Sequence, residues 1–358
     1  MSCLGQKVRA PLEIAESSAM GKQKISLVTG GAGFIGSHVA DHLLGMGHKV
    51  VVLDDLSGGF AANLNKKHIF VEGSVTDGKL LDEVFRSYKF NYIYHLAAYA
   101  AEGLSHFIRK FNYENNLIGS VNLINRAVKN KAEHFIFTSS IAVYGTNQVP
   151  MTESLAPEPK DPYGIAKYAV ELDLQAAREM FGLNYTVFRP HNVYGERQNH
   201  GDPYRNVLGI FINNIMRGEP MPIFGDGAQT RAFTYIADVA PYIARAVDVK
   251  KAQNEVFNIG SDKAHSVLEL AKKIAAAMGV KCDINFLPAR NETVHAFSGH
   301  EKFESVFGGA KKTGLDEGIK RMVKWVKKTG PRSAAKFKNI ELTENMPPSW
   351  RKLTAKGG

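Results

Sequence analysis

The chain has 358 residues, 44% hydrophobic and 22% charged, a balance that buries a sizeable core and excludes a disordered or fibrous chain. Two cysteines, Cys3 and Cys282, are too few for a disulfide framework or a metal site, so no metal is expected and a reducing, cytoplasmic setting is. The net charge of +10 comes with no nucleic-acid recognition motif, and no apolar run approaches the ~18 residues of a membrane span, so neither nucleic acid nor membrane is expected as a partner.

Residues 1–22 mix both signs of charge, lack the apolar core of a signal peptide and read as a disordered extension. Then comes a run that organises the chain. Ile25–Thr29 reads as a strand, Gly30-Gly31-Ala32-Gly33 as a tight turn, and Phe34–Met46 as a helix. Glycines at 30, 33 and 36 permit the turn, close backbone approach to a pyrophosphate, and tight packing of helix on strand. The helix N-terminus offers its free N–H groups to the anion. The next strand, Val50–Leu53, ends at Asp54, 18 residues after Gly36, where a carboxylate binds ribose hydroxyls and repels a 2′-phosphate. NAD is therefore the expected cofactor. The alternative is a glycine loop that merely turns.

Strands Ile69–Glu72, Tyr92–Leu96, Phe135–Ser139 and Tyr185–Phe188 follow, separated by helices at Gly78–Tyr88, Ile108–Asn130 and Tyr163–Phe181. Regular alternation of this kind predicts an α/β chain, a Rossmann-type doubly wound parallel sheet, over residues 23–190. Beyond Arg189 the chain is richer in Asn, Gly and Pro. Helices are expected at Val207–Met216, Tyr235–Val247, Val267–Met278 and Leu315–Lys328, with strand-like pieces at Val256–Ile259 and Cys282–Phe286. Residues 191–330 read mainly as a smaller α+β substrate lobe, with some segments returning to the first domain. Residues 331–358 read as a tail, either disordered or laid on the surface with Trp350 as an anchor.

Tyr163 and Lys167 lie four apart, on one face of a helix that starts at Pro162, where a missing N–H costs nothing. A cation beside a tyrosine favours the phenolate and moves its pKa from about 10 toward neutrality, which suits a general base acting on a hydroxyl. The strand before it ends in Thr138-Ser139-Ser140, so Ser140 opens at the same carboxyl edge and can share that hydroxyl's proton. Alone, each feature has a bland structural reading. In this order they point to one site.

The chain resembles an extended short-chain dehydrogenase/reductase of the nucleotide-sugar epimerase/dehydratase family, and most of all its UDP-glucose 4-epimerases. The carriers are Thr29–Gly36, Asp54, His95-Leu96-Ala97-Ala98, Asn115-Asn116, Thr138–Gly145, Tyr163–Lys167, Arg189–Gly195 and Gln229–Val239. The resemblance implies tightly held NAD, a homodimer formed through a helix bundle, and a UDP-sugar between the lobes. It implies Gly30, Gly33, Phe34, Ile35 and Gly36 at the pyrophosphate, and Asp54 at the ribose. Ser74 and Val75 fall at the adenine end, where the family often has Asp in place of Ser74. Leu96, Ala97, Ala98, Asn116 and Pro190 fall along the cofactor groove. Ser140, Tyr163 and Lys167 are implied as catalytic, with Tyr163 and Lys167 also touching the cofactor. Asn192, Asn206, Arg231 and Arg290 are implied at the UDP-sugar, the guanidinium forks suiting phosphate oxygens.

The residues after Ser140 discriminate between reactions. Dehydratases resembling this family carry an Asp-Glu pair there, and this chain has Ile141 and Ala142, which transfer no proton. Dehydration is thereby disfavoured, and redox-neutral 4-epimerisation of a UDP-hexose, glucose to galactose, is the expected activity. The alternatives are a UDP-glucuronate 4-epimerase, a net sugar dehydrogenase, and a non-catalytic NAD(H)-binding sensor.

Overall fold

The structure is a computed structural model that describes residues 23–146, 148–289, 294–309, 312–333, 337 and 339–355. Its first half is β1 (Ile25–Thr29), α1 (Phe34–Gly45), β2 (Lys49–Asp54), β3 (Ile69–Glu72), α2 (Gly78–Ser87), β4 (Tyr92–His95), α3 (Glu102–Ser105), α4 (Arg109–Tyr113), α5 (Gly119–Asn130), β5 (His134–Thr138), α6 (Pro162–Phe181) and β6 (Tyr185–Pro190). The second half is β7 (Val193–Tyr194), α7 (Val207–Met216), β8 (Met221–Phe224), β9 (Thr230–Ala232), β10 (Thr234–Tyr235), α8 (Ala240–Arg245), β11 (Glu255–Ile259), β12 (Ala264–Ser266), α9 (Val267–Met278), β13 (Ile284–Leu287), β14 (His295–Ala296), α10 (Glu301–Phe307), α11 (Leu315–Thr329) and α12 (Pro348–Ala355).

Seven parallel strands form one sheet in the order β11-β6-β5-β4-β1-β2-β3, a Rossmann-like arrangement. Strand order reverses between β1 and β4, and a crevice opens there at the carboxyl ends. Burial on both faces explains the unbroken apolar strands. Val50 and Val52 of β2 pack with Val39 and Leu43 of α1, while Val51 and Leu53 face Leu123 of α5 and Leu174 of α6. Helix α6 starts as its sequence demands: Asp161 caps it by accepting from Gly164 N at 2.9 Å, Pro162 follows, and Gly182 ends it in the left-handed conformation at φ +76°.

The 256–259 strand is a segment that returns to the first domain: as β11 it pairs with β6 from Glu255↔Thr186 to Ile259↔Pro190 and completes the main sheet. Three expectations are corrected. The single helix expected over Ile108–Asn130 is interrupted by a π turn at Glu114–Ile118. The Tyr235–Val247 helix shrinks to α8, because Thr234–Tyr235 pairs with β7, a 3-10 turn spans Ile236–Asp238, and Pro241 sits at the helix start. The strand expected from Cys282 begins at Ile284 and pairs with β8. The second lobe is otherwise built of β8 with β13, the three-stranded set β12-β9-β14, and helices α7 and α9. The tail follows its anchored reading: Trp350 is buried and packs edge-on against Phe107 and Tyr204. Residues 1–22 lie outside the described residues.

Candidate active site

A cleft of about 1090 Å³ runs along the carboxyl edge of the sheet and under the second lobe. Its floor is the β1–α1 turn. Gly30 adopts φ +69°, and a Cβ on Gly36 would lie 2.1 Å from the Gly30 carbonyl oxygen, so the turn closes only on glycine. Phe34, Ile35 and Gly36 open α1 with Gly33 as N-cap and no side chain capping it, which leaves first-turn N–H groups for an anion. Asp54 stands at the end of β2. Its carboxylate accepts from Ala32 N at 3.0 Å and Leu56 N at 2.8 Å, tying the glycine turn to the loop after β2, and burial pushes it up from the ordinary Asp value. Ser74, Val75, Leu96, Ala97, Ala98 and Pro190 line the same groove. A turn that admits no Cβ, a free helix N-terminus and a carboxylate at the second strand's end fit a dinucleotide.

Two of the expected cofactor residues, Asn116 and Lys167, do not line the cleft, and Asn116 serves its wall from behind. It is buried beneath the cleft. Its amide accepts from Tyr99 N at 2.8 Å and donates to Tyr99 O at 3.1 Å and to Asn112 Oδ1 at 2.8 Å. The π turn aims it there, clamping the loop that carries Ala97 and Ala98.

Beyond the cofactor groove, Ser140 and Tyr163 face the cleft together. Ser140 caps the 3-10 turn Ile141–Tyr144, accepting from Ala142 N at 3.1 Å, and its hydroxyl reaches that of Tyr163, a contact favouring the phenolate. Lys167 lies one turn deeper, outside the cleft lining. Its Nζ donates to Thr138 O at 2.8 Å and stands 5.8 Å from the Tyr163 ring centroid. Burial pushes Lys167 down to about 7, opposed in part by Glu171. Burial also pushes the Tyr163 hydroxyl upward, outweighing the Ser140 contact. Desolvation thus opposes, at both groups, the lowering of the Tyr163 hydroxyl expected from a charged Lys167 beside it.

A layer of residues that sequence reasoning missed holds this edge. Arg189 donates to Glu171 at 2.5 and 3.0 Å and to Tyr144 Oη at 2.6 Å. Ser139 donates to Glu171 at 2.5 Å, and Tyr144 to Asn258 Oδ1 at 2.9 Å. The network joins β5, α6, β6 and β11 behind Ser140. Ser139, Tyr144 and Arg189 lie in motifs that carry the family resemblance, but nothing in those motifs pairs them with Glu171.

On the substrate side, Asn192 and Asn206 both adopt left-handed φ, +40° and +53°, and line the cleft. Asn206 caps α7 and donates to Val193 O at 2.6 Å. Arg231, on β9, lines the cleft with Nη1 donating to Thr230 O and Val294 O, each at 2.9 Å. Arg290 lies outside the described residues. The His191 ring, missed from sequence, meets Ala232 O at 3.1 Å and His300 Nε2 at 3.2 Å. It thereby ties the end of β6 to the strand bearing Arg231. Arg205, also missed, pairs with Asp202 at 2.7 Å and lies over the Tyr99 ring at 5.0 Å. It spans the cleft between the lobe and the first domain. Among the described residues no group of three or more His, Cys, Asp or Glu is placed to hold a metal ion.

Fold and site together define a Rossmann-like protein with a dinucleotide groove that opens beside Ser140 and Tyr163. The chain belongs to the NAD dependent epimerase/dehydratase family, whose model matches residues 26–260, and its cofactor is NAD. It is 37% identical over 306 residues to a putative UDP-glucose 4-epimerase of Methanocaldococcus jannaschii, covering 84% of this chain and 98% of that protein. A UDP-glucose 4-epimerase of Thermotoga maritima solved with UDP-glucose superimposes with TM-score 0.81 at 37% identity, over 85% of this chain and 99% of that one. A UDP-glucuronic acid 4-epimerase of Bacillus cereus, in complex with UDP-glucuronic acid and NAD, gives TM-score 0.77 at 27% identity over 85% and 99% of the two chains.

Proposed function

We propose that the protein interconverts the 4-epimers of a UDP-hexose, UDP-glucose and UDP-galactose, through a 4-keto sugar. The observation that carries this reading is the edge at Ser140. The cleft there presents Ser140 and Tyr163, while the next positions are the apolar Ile141 and Ala142. Positions 141 and 142 offer a 4-keto sugar no acid–base pair to expel water from C5 and C6, which supports return to an alcohol. NAD, when bound, supplies reversible hydride transfer.

The chain's own residues do the rest. In its phenolate form, which the Ser140 contact favours, Tyr163 Oη takes the proton of the sugar 4-hydroxyl to become the phenol, and it returns that proton in the reverse direction. Lys167 lies beneath the tyrosine and holds Thr138 at the strand's end. Arg231 and the turns at Asn192 and Asn206 retain the UDP portion while the keto sugar turns over, and a cleft of about 1090 Å³ leaves space for both orientations. The same reading carries a homodimer through α5 and α6, supported by the exposed apolar residues Ile118, Ile165 and Leu172 on or beside those helices.

The test is incubation with UDP-galactose and no added oxidant, followed by separation of the nucleotide sugars. UDP-glucose should form with the purified protein and not with Tyr163→Phe. Conversion of UDP-glucuronate alone moves the assignment to the uronate branch. Inertness toward both, with NAD retained, overturns the epimerase reading.

A further inference from the structure

Phe337 and the segment from Asn339 to Trp350 lie well beyond residue 260, where the family match ends. Nothing in the reaction above uses them, yet they are firmly fastened. Phe337 packs edge-on against Phe111 at 4.9 Å and tilted against Tyr99 at 5.2 Å. The Glu341 carboxylate accepts from Lys110 N at 2.8 Å and Phe111 N at 2.9 Å, occupying the N-terminus of α4. Glu341 N and Leu342 N both donate to Phe107 O, at 2.8 and 3.2 Å. Met346 and Trp350 are buried in one cluster with Leu104 and Ile108. The Trp350 ring stands 5.4 Å from Tyr204 and 6.3 Å from Phe107, edge to face in both cases. At Gly103 a Cβ would lie 3.2 Å from the tip of that ring, so the indole fills a notch left by a missing side chain.

The two segments clamped by Trp350 flank Tyr163. Ser105, two residues after Gly103, donates to Asp161, the cap of the helix that carries Tyr163. Glu102, beside Gly103, and Arg205, beside Tyr204, both act electrostatically on the Tyr163 hydroxyl and both line the cleft. Leu342, Glu344, Asn345, Pro347 and Trp350 line it too.

We propose that Asn339–Trp350 is a strap that forms the outer wall of the sugar subsite, with Trp350 as a specificity-determining residue that holds the Gly103 and Tyr204 segments against the sugar. The inference rests on the reading that a UDP-sugar occupies the cleft. The strap contacts the sugar half of that ligand, and the UDP half is held elsewhere, by the lobe. Disturbing the strap therefore weakens binding of a UDP-sugar and spares binding of UDP.

The chain has two tryptophans, Trp325 and Trp350, so Trp325→Phe leaves Trp350 as the sole reporter. In that variant of the full-length holoprotein, UDP-glucose and UDP-galactose should shift the Trp350 emission and UDP should not. In an otherwise unaltered chain, Trp350→Ala should raise the KM for UDP-galactose about tenfold, with kcat within about twofold and the Kd for UDP unchanged. Trp350→Phe, which keeps an aromatic ring in the notch, should give an intermediate KM and serves if the alanine variant fails to fold. Equal emission changes with UDP and UDP-sugars overturn the proposal, as does a loss of UDP affinity matching the rise in KM. If the unaltered protein turns over no UDP-hexose, the epimerase reading fails, while the emission titration, extended to UDP-glucuronate, still tests the strap.

Discussion

The Tyr163/Lys167 pair shows what one residue's spacing reveals and what it hides. Four-residue spacing after a proline places both on one helix face, and the structure puts them there. Their tuning is a tertiary property: burial pushes Lys167 down to about 7, and no local pattern carries that information. Asn116 is a similar case: its motif places it near the groove, and the π turn decides that its amide holds the Tyr99 backbone of the groove wall. Buried neutral groups leave a signature in the pH dependence of folding. Desolvation pushes His95 and His191 down to about 3 and His134 down to about 4, against 6.5 when unperturbed. The unfolded chain then binds protons that the native state refuses, so this contribution is present above about pH 6.5 and is lost as pH falls toward 4 and 3. Lys167 has the same sign in a higher window, where stability rises from about pH 7 toward the ordinary lysine value of 10.5. The urea midpoint should therefore drop between about pH 7 and about pH 4.5, and His134→Gln should flatten part of that slope. A midpoint insensitive to pH over that range, or a His134→Gln slope equal to the original, contradicts this account.

At the scale of elements, strands and long helices were legible because burial on both faces of a parallel sheet leaves continuous apolar runs, and caps such as Asp161-Pro162 mark helix starts. Short elements were not. The 256–259 strand carries the same apolar signal whether it joins a lobe or the main sheet, and only pairing with β6 decides it. What locks that edge is the Glu171–Arg189 pair, both side chains 5% exposed, linking α6 to β6 and through Tyr144 to β11. A buried pair is costly to form and costlier to halve, since removing one partner strands the other's charge. Arg189→Ala should lower the unfolding free energy by roughly 3–5 kcal/mol, read from chemical denaturation. Replacing Glu171 and Arg189 together with apolar residues of similar volume should recover most of that loss. A single variant within about 0.5 kcal/mol of the parent would remove the pair from its proposed role.

The whole molecule poses a question that chain order could not answer, namely which surfaces meet solvent. Helix α6 buries Val170, Leu174 and Ala177 against the sheet, yet leaves Ile165 and Leu172 exposed at 41% and 47%, with Ile118, beside α5, at 52%. Apolar residues on a helix normally mark the face turned inward. Here they mark a second apolar stripe that the sheet does not cover, carried by helices that also pack on each other. A two-fold partner placing its own α5 and α6 against this stripe would bury all three residues twice, as a self-complementary interface requires. The protein should elute in light scattering at twice its chain mass of 39.4 kDa. Ile165→Lys with Leu172→Lys should shift it to a single chain, because each buried copy would carry unpaired charge. Both positions lie on the α6 surface, remote from the sheet core, so far-ultraviolet circular dichroism of the variant should match the parent. A parent that elutes as a single chain at micromolar concentration removes the interface, and a double-lysine variant that stays dimeric moves it to another face.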